Sequence, residues 1–121
     1  MGQNGVRVPR GATLDGFREL IQANKGISVK DLPLGAILKI RTINSVYTLM
    51  MTDGGVLMKG GHRLPELTLC TYRGATFGGA NIKLGWVVLG MCMEIEIPEG
   101  IMTTSSVQSI GVVTSPGSAV H

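Results

Sequence analysis

Residues Leu34 to Lys59 constrain this chain more than any other stretch. Two turn signals, Asn44-Ser45 and Asp53-Gly54, separate three apolar-rich runs, which predicts a three-stranded antiparallel meander. Asp-Gly is a strong two-residue hairpin signal, because a type I′ turn needs positive φ at both central residues. A loop at Asn44-Ser45 pairs Thr42 with Tyr47, Ile40 with Leu49 and Leu38 with Met51. A loop at Asp53-Gly54 pairs Met51 with Val56 and Leu49 with Met58. Paired residues share a face and faces alternate along a strand. Both turns then put Leu38, Ile40, Tyr47, Leu49, Met51, Val56 and Met58 on one face, the expected core side.

The other face is mixed. It carries Lys39, Arg41, Thr48 and Lys59, and also Ile37, Ile43, Val46, Met50 and Leu57. A solvated sheet face normally shows a cleaner alternation. Ile37, Ile43, Val46, Met50 and Leu57 are therefore the expected self-association face. Composition points the same way: 44% of residues are hydrophobic and 16% charged, against about 25% charged in an average domain. Apolar surface left over in so small a domain is commonly hidden between copies, as a dimer or a small ring.

Around the meander the chain reads as mainly β, with one leading helix. Residues 1–12 form an expected flexible arm, 13–113 a single domain, and 114–121 a disordered tail without periodicity. Thr13 to Lys25 reads as a helix, with Thr13 as N-cap and Asp15 in the first turn. Its stripe is Leu14, Phe17 and Ile21, widened by Leu20; Gly26 is the expected stop. Ser28 and Asp31 have capping-box spacing for one further turn ahead of Pro33. Glu66–Tyr72 is a fourth strand, Arg73–Gly79 a glycine-rich loop and Ile82–Leu84 a short strand. Trp86–Pro98 reads as one long alternating strand, and after the Glu99-Gly100 turn a final strand runs to Val113. Short strands, tight turns and one helix describe a small closed or partly open antiparallel β-barrel.

Function classes narrow by elimination. No apolar run has transmembrane length and no signal-peptide pattern is present, so a cytoplasmic protein without membrane contact is the expectation. Cys70 and Cys92 are too few for a disulfide framework, and with His62 and His121 far apart no metal spacing arises. No cofactor motif is found. Gly74 to Gly79 lacks the Gly-Lys-Ser/Thr ending of a phosphate-binding loop. Thr103, Thr104, Ser105 and Ser106 supply hydroxyls but no nucleophile elbow, and His62 is the sole plausible base. Glu94 and Glu96 read as a solvated strand end. The net charge of +3 is mildly basic. Lys39, Arg41, Lys59 and Arg73 are the candidate contacts to nucleic acid or another anion. The leading expectation is a non-enzymatic, self-associating β-barrel module. Nucleic-acid binding is the alternative, and a small hydrolase built on Ser/Thr and His62 comes last.

Two resemblances bear on this. A helix, then Leu34-Gly35 opening a meander, then Tyr72-Arg73-Gly74, is similar to the layout of Sm-like proteins, small barrels that form rings and bind RNA. The loop Thr52-Asp53-Gly54-Gly55 lacks the Asn of the first Sm motif, and more chain follows Arg73-Gly74 than that fold requires. The resemblance implies ring assembly more than RNA recognition. The chain also resembles a group of uncharacterised bacterial small β-barrel proteins. That likeness rests on Asp31-Leu32-Pro33-Leu34-Gly35, Asn44 to Leu49, Gly78-Gly79 and Thr104-Ser105-Ser106-Val107. It implies a fold and no activity.

Overall fold

The computed structural model describes residues 14–78 and 81–114. The expected arm, the Thr13 cap and the expected tail from residue 115 on lie outside the described residues, as do the side chains of Leu14, Asp15 and Phe17. Helix α1 (Leu14–Asn24) is followed by β1 (Gly26–Ser28) and a 3-10 turn at Val29–Asp31. Then come β2 (Ile37–Thr42), β3 (Val46–Thr52), β4 (Gly55–Gly60), β5 (Leu64–Thr76), β6 (Lys83–Leu84), β7 (Trp86–Val88), β8 (Cys92–Ile97) and β9 (Gly100–Thr114).

The fold is mainly β with one short helix. Its sheet runs β4-β3-β2-β9-β8-β5-β6, and β4 also pairs with β5. Six strands, β2-β3-β4-β5-β8-β9, are thereby joined in a ring. Long β5 makes the closure. Its first half pairs with β4. Its second half runs between β8 and β6. Leu38, Ile40, Leu49, Met58, Met93 and Ile95 point inward and are fully buried. The core face of the meander is the expected one.

The second hairpin has the expected register, Met51↔Val56 and Leu49↔Met58. Its geometry differs: Asp53 and Gly54 do not have positive φ, and Gly55 does, at 133°. The first hairpin is displaced. Ile40 faces Tyr47 and Leu38 faces Leu49, so the loop is Ile43-Asn44 and not Asn44-Ser45. Thr42 decides this. Its N–H donates to the Ser45 carbonyl at 2.8 Å. Its Oγ1 also donates to that carbonyl and accepts from the Ser45 N–H, each at 3.1 Å. A Thr side chain that mimics a turn in this way outweighs the preference of Asn-Ser for the central positions.

Five further expectations are corrected. Lys25, not Gly26, takes the left-handed conformation after α1, with φ 59°. Gly26 is needed for contact instead: a Cβ there would lie 2.3 Å from the Val87 carbonyl oxygen across the β1–β7 pair. Ser28 precedes the 3-10 turn but makes no side-chain cap. Leu20 does not widen the buried stripe, since it is 39% exposed while Ile21 is buried. The expected loop at Arg73–Gly79 is strand as far as Thr76. The expected strand Trp86–Pro98 is two strands: β7 leaves the ring to pair with β1, and β8 rejoins it. Between them Gly90 N–H donates to the Val107 carbonyl, and Val107 N–H to that of Met91.

Burial sets the side-chain chemistry of the interior. Tyr72 donates its hydroxyl to the Trp86 carbonyl at 2.9 Å, and burial pushes its ionisation far up. Burial likewise raises the Cys70 thiol, opposed in part by a backbone hydrogen bond at Met58.

Candidate functional site

The outer face of the meander has a row structure. Strand pairing aligns Ile37 with Met50, Met50 with Leu57 and Leu57 with Leu69. Four apolar side chains thus lie side by side across β2, β3, β4 and β5. Ile37, Met50 and Leu57 are half-buried and Leu69 is 56% exposed. The next row, two residues along and so about 7 Å away, is Gly111, Lys39, Thr48 and Lys59. The row beyond contains Ser109, Arg41 and Val46. Lys39, Arg41 and Lys59 therefore share one patch.

The other expected residues separate from these rows. Ile43 sits in the displaced turn, 66% exposed, its N–H bonded to the Ser106 carbonyl. Arg73 is the extra residue of a bulge, since Tyr72 faces Ile95 while Gly74 faces Glu94. Such a bulge re-aims the side chain it displaces. Arg73 Nε lies 2.7 Å from Glu94 Oε2, with Glu96 at 3.9 Å from Nη1. Glu94 is thus the close partner of Arg73, while Glu96, exposed and next to last in β8, keeps the solvated strand-end reading. Leu69 was missed as a member of the apolar row because its place depends on β4–β5 pairing, which joins separate hairpins.

A second locus lies at one end of the ring. The Ile43-Asn44 turn, the Gly61–Arg63 connection and the bent part of β9 enclose an open depression of about 230 Å³. Its lining includes Ser45, Tyr47, His62, Arg63, Thr103 and Ser105. The bend in β9 comes from register shifts on both its edges, near Thr104 against β8 and near Val107 against β2. There Thr104 Oγ1 accepts the Met93 N–H at 3.0 Å and donates to the Ser105 carbonyl at 2.7 Å. Ser105 Oγ accepts the Asn44 N–H at 3.0 Å. The structure brings His62 beside the β9 hydroxyls, yet Thr104, the buried one, already has both roles of its hydroxyl filled.

Among the described residues no three His, Cys, Asp or Glu side chains are grouped to hold a metal ion, and no helix is long and apolar enough to cross a membrane. Comparisons with protein-family models, with curated proteins and with solved structures return no match to this chain.

Proposed function

We propose that this protein is a self-associating β-rich module whose role lies in assembly and not in catalysis. The observation that carries the reading is the outward-facing row Ile37–Met50–Leu57–Leu69, aligned by backbone register across four neighbouring strands. Four large apolar side chains in one line form a continuous stripe, where scattered ones would be ordinary surface. Among the described residues, helix α1 packs mainly on β1 and β9, and Ile37, Met50 and Leu57 keep partial exposure. A second copy is the simplest partner for the stripe. Two stripes facing across a two-fold axis bury each other, and methionine at the centre tolerates imperfect packing. The flanking row with Lys39 and Lys59 disfavours unlimited stacking, because like charges meet if copies slide in register.

The nucleic-acid alternative rests on the same cationic row. Among the described residues that row holds no exposed aromatic for base stacking: Tyr47 and Tyr72 are buried, Trp86 is covered by Lys83, whose Nζ lies 4.1 Å from the ring centre, and exposed Phe77 lies past the end of β5, beyond its pairing with β8.

Light scattering across the micromolar range is the test. A dimer or small closed oligomer is expected. The double variant Met50→Lys/Leu57→Lys should run as a folded monomer. A wild-type monomer at every concentration overturns the reading. So does an oligomer that survives the double substitution. Steeply salt-dependent retention of single-stranded nucleic acid, lost on Lys39→Gln/Lys59→Gln, would replace it with the alternative.

A further inference from the structure

We propose that the depression at the end of the ring, between the Ile43-Asn44 turn, the Gly61–Arg63 connection and the bend of β9, binds a small tetrahedral oxyanion, namely the phosphate of a low-molecular-weight ligand. This site is separate from the apolar stripe and does not depend on assembly.

Tyr47 points to a ligand first. It is only 6% exposed and lines the depression. Its hydroxyl belongs to no hydrogen bond among the described residues, whereas the other buried tyrosine, Tyr72, bonds the Trp86 carbonyl. With its ring buried and no hydrogen-bond partner among the described residues, a hydroxyl on the wall of a depression is left to bond what enters it. Gly61 keeps the approach open. It has φ 64°, and a Cβ there would lie 2.9 Å from Tyr47 Oη and 3.4 Å from Ser45 Oγ. Any other residue would fill the cradle in which these two hydroxyls converge.

The remaining lining has the sign an anion requires. Arg63 and His62 both border the depression, and among the described residues no Asp or Glu does. No described carboxylate pairs with Arg63, while Arg73, on the far part of β5, is held by Glu94. Ser105 Oγ already accepts the Asn44 N–H, so its own proton is left to donate. Thr103 adds an exposed hydroxyl beside it. Donors thus come from three chain segments around one space. A flat carboxylate would be satisfied by the Arg63 fork alone, but a phosphate offers oxygens in several directions and uses the hydroxyls as well. The volume, about 230 Å³, falls below the usual range for larger organic ligands, which favours a small phosphate compound over a polymer.

The test is a titration of the full chain with sodium phosphate, followed by amide NMR at constant pH and matched ionic strength, with sodium chloride as the control. Saturable shifts are expected at Asn44, Gly61, His62, Arg63 and Ser105, absent in chloride. Arg63→Gln, a surface substitution, should weaken binding at least tenfold, and Tyr47→Phe severalfold with the fold retained. Glycerol phosphate run in parallel separates the sources: tighter binding than phosphate marks a phosphorylated small molecule, weaker binding marks free phosphate. Shifts that never saturate, that occur equally in chloride, or that persist unchanged in Arg63→Gln overturn the site. Should Tyr47→Phe unfold the protein, the Arg63→Gln result alone decides.

Discussion

The two faces of the β2–β3–β4 meander are made of similar side chains and have different surroundings. Inside, Leu38, Ile40, Leu49 and Met58 are wholly buried. Outside, Ile37, Met50 and Leu57 keep partial exposure, and Val46 more. Hydrophobicity does not separate the two sets. What separates them is ring closure: β2 pairs with β9 and β4 with β5, so one face curls around the core while the other is left outward. An apolar residue on the inner face is committed to folding. The same residue on the outer face remains free to serve association.

The largest test of this contrast is Leu49→Ala. Leu49 is fully buried between Leu38 and Met58 in the pairing, and truncation there should cost about 2–5 kcal/mol in denaturant unfolding. A loss as small as that from an outer-face substitution would mean that the ring does not close in solution.

Thr42→Val probes the displaced turn and should cost less, about 1 kcal/mol, because it removes the hydroxyl that both accepts from and donates to Ser45. Thr42 is buried, so the isosteric change tests the hydrogen bonds and not the volume. If Asn44-Ser45 were the loop, Thr42 would be an ordinary ladder residue and the substitution close to neutral. The same urea melt distinguishes the two.

Smallest of all should be Thr48→Ala, the outer neighbour of Leu49. Thr48 is half-buried between Lys39 and Lys59 and makes no side-chain hydrogen bond among the described residues. A change within about 0.5 kcal/mol is expected. Equality with Leu49→Ala would erase the distinction between the faces.

Much of this was legible in the residues, and the misses have physical causes. Moving the first loop from Asn44-Ser45 to Ile43-Asn44 shifts the pairing by two residues. Side chains alternate with a period of two, so such a shift leaves every residue on its expected face and hides in the pattern. The break between β7 and β8 hides in the same way. Val87 and Met93 are both buried, so alternation continues across it, yet they face different partners, Ile27 in β1 and the ring interior. Gly26 reads locally as a helix stop, when its cause is a carbonyl on β7, remote in sequence. Arg73 looked like a member of the basic set until a bulge turned it toward Glu94.

The depression shows the limit most clearly. His62 and the hydroxyls of Thr103 to Ser105 stand out in the sequence as chemistry-bearing residues; Tyr47 is core as expected, but that its hydroxyl end and Arg63 border one depression has no local signal. Local sequence by itself determined the β-rich class, the strand faces and the Asp53-Gly54 register, because alternation and turn preference act over a few bonds. Tertiary structure alone decided which hairpins neighbour one another, where β5 closes the ring, and that Tyr47, Arg63 and Ser105 line one depression beside Gly61. Those meetings depend on pairings between residues far apart in the chain and on the bends that two register shifts impose on β9, and no short-range pattern encodes either.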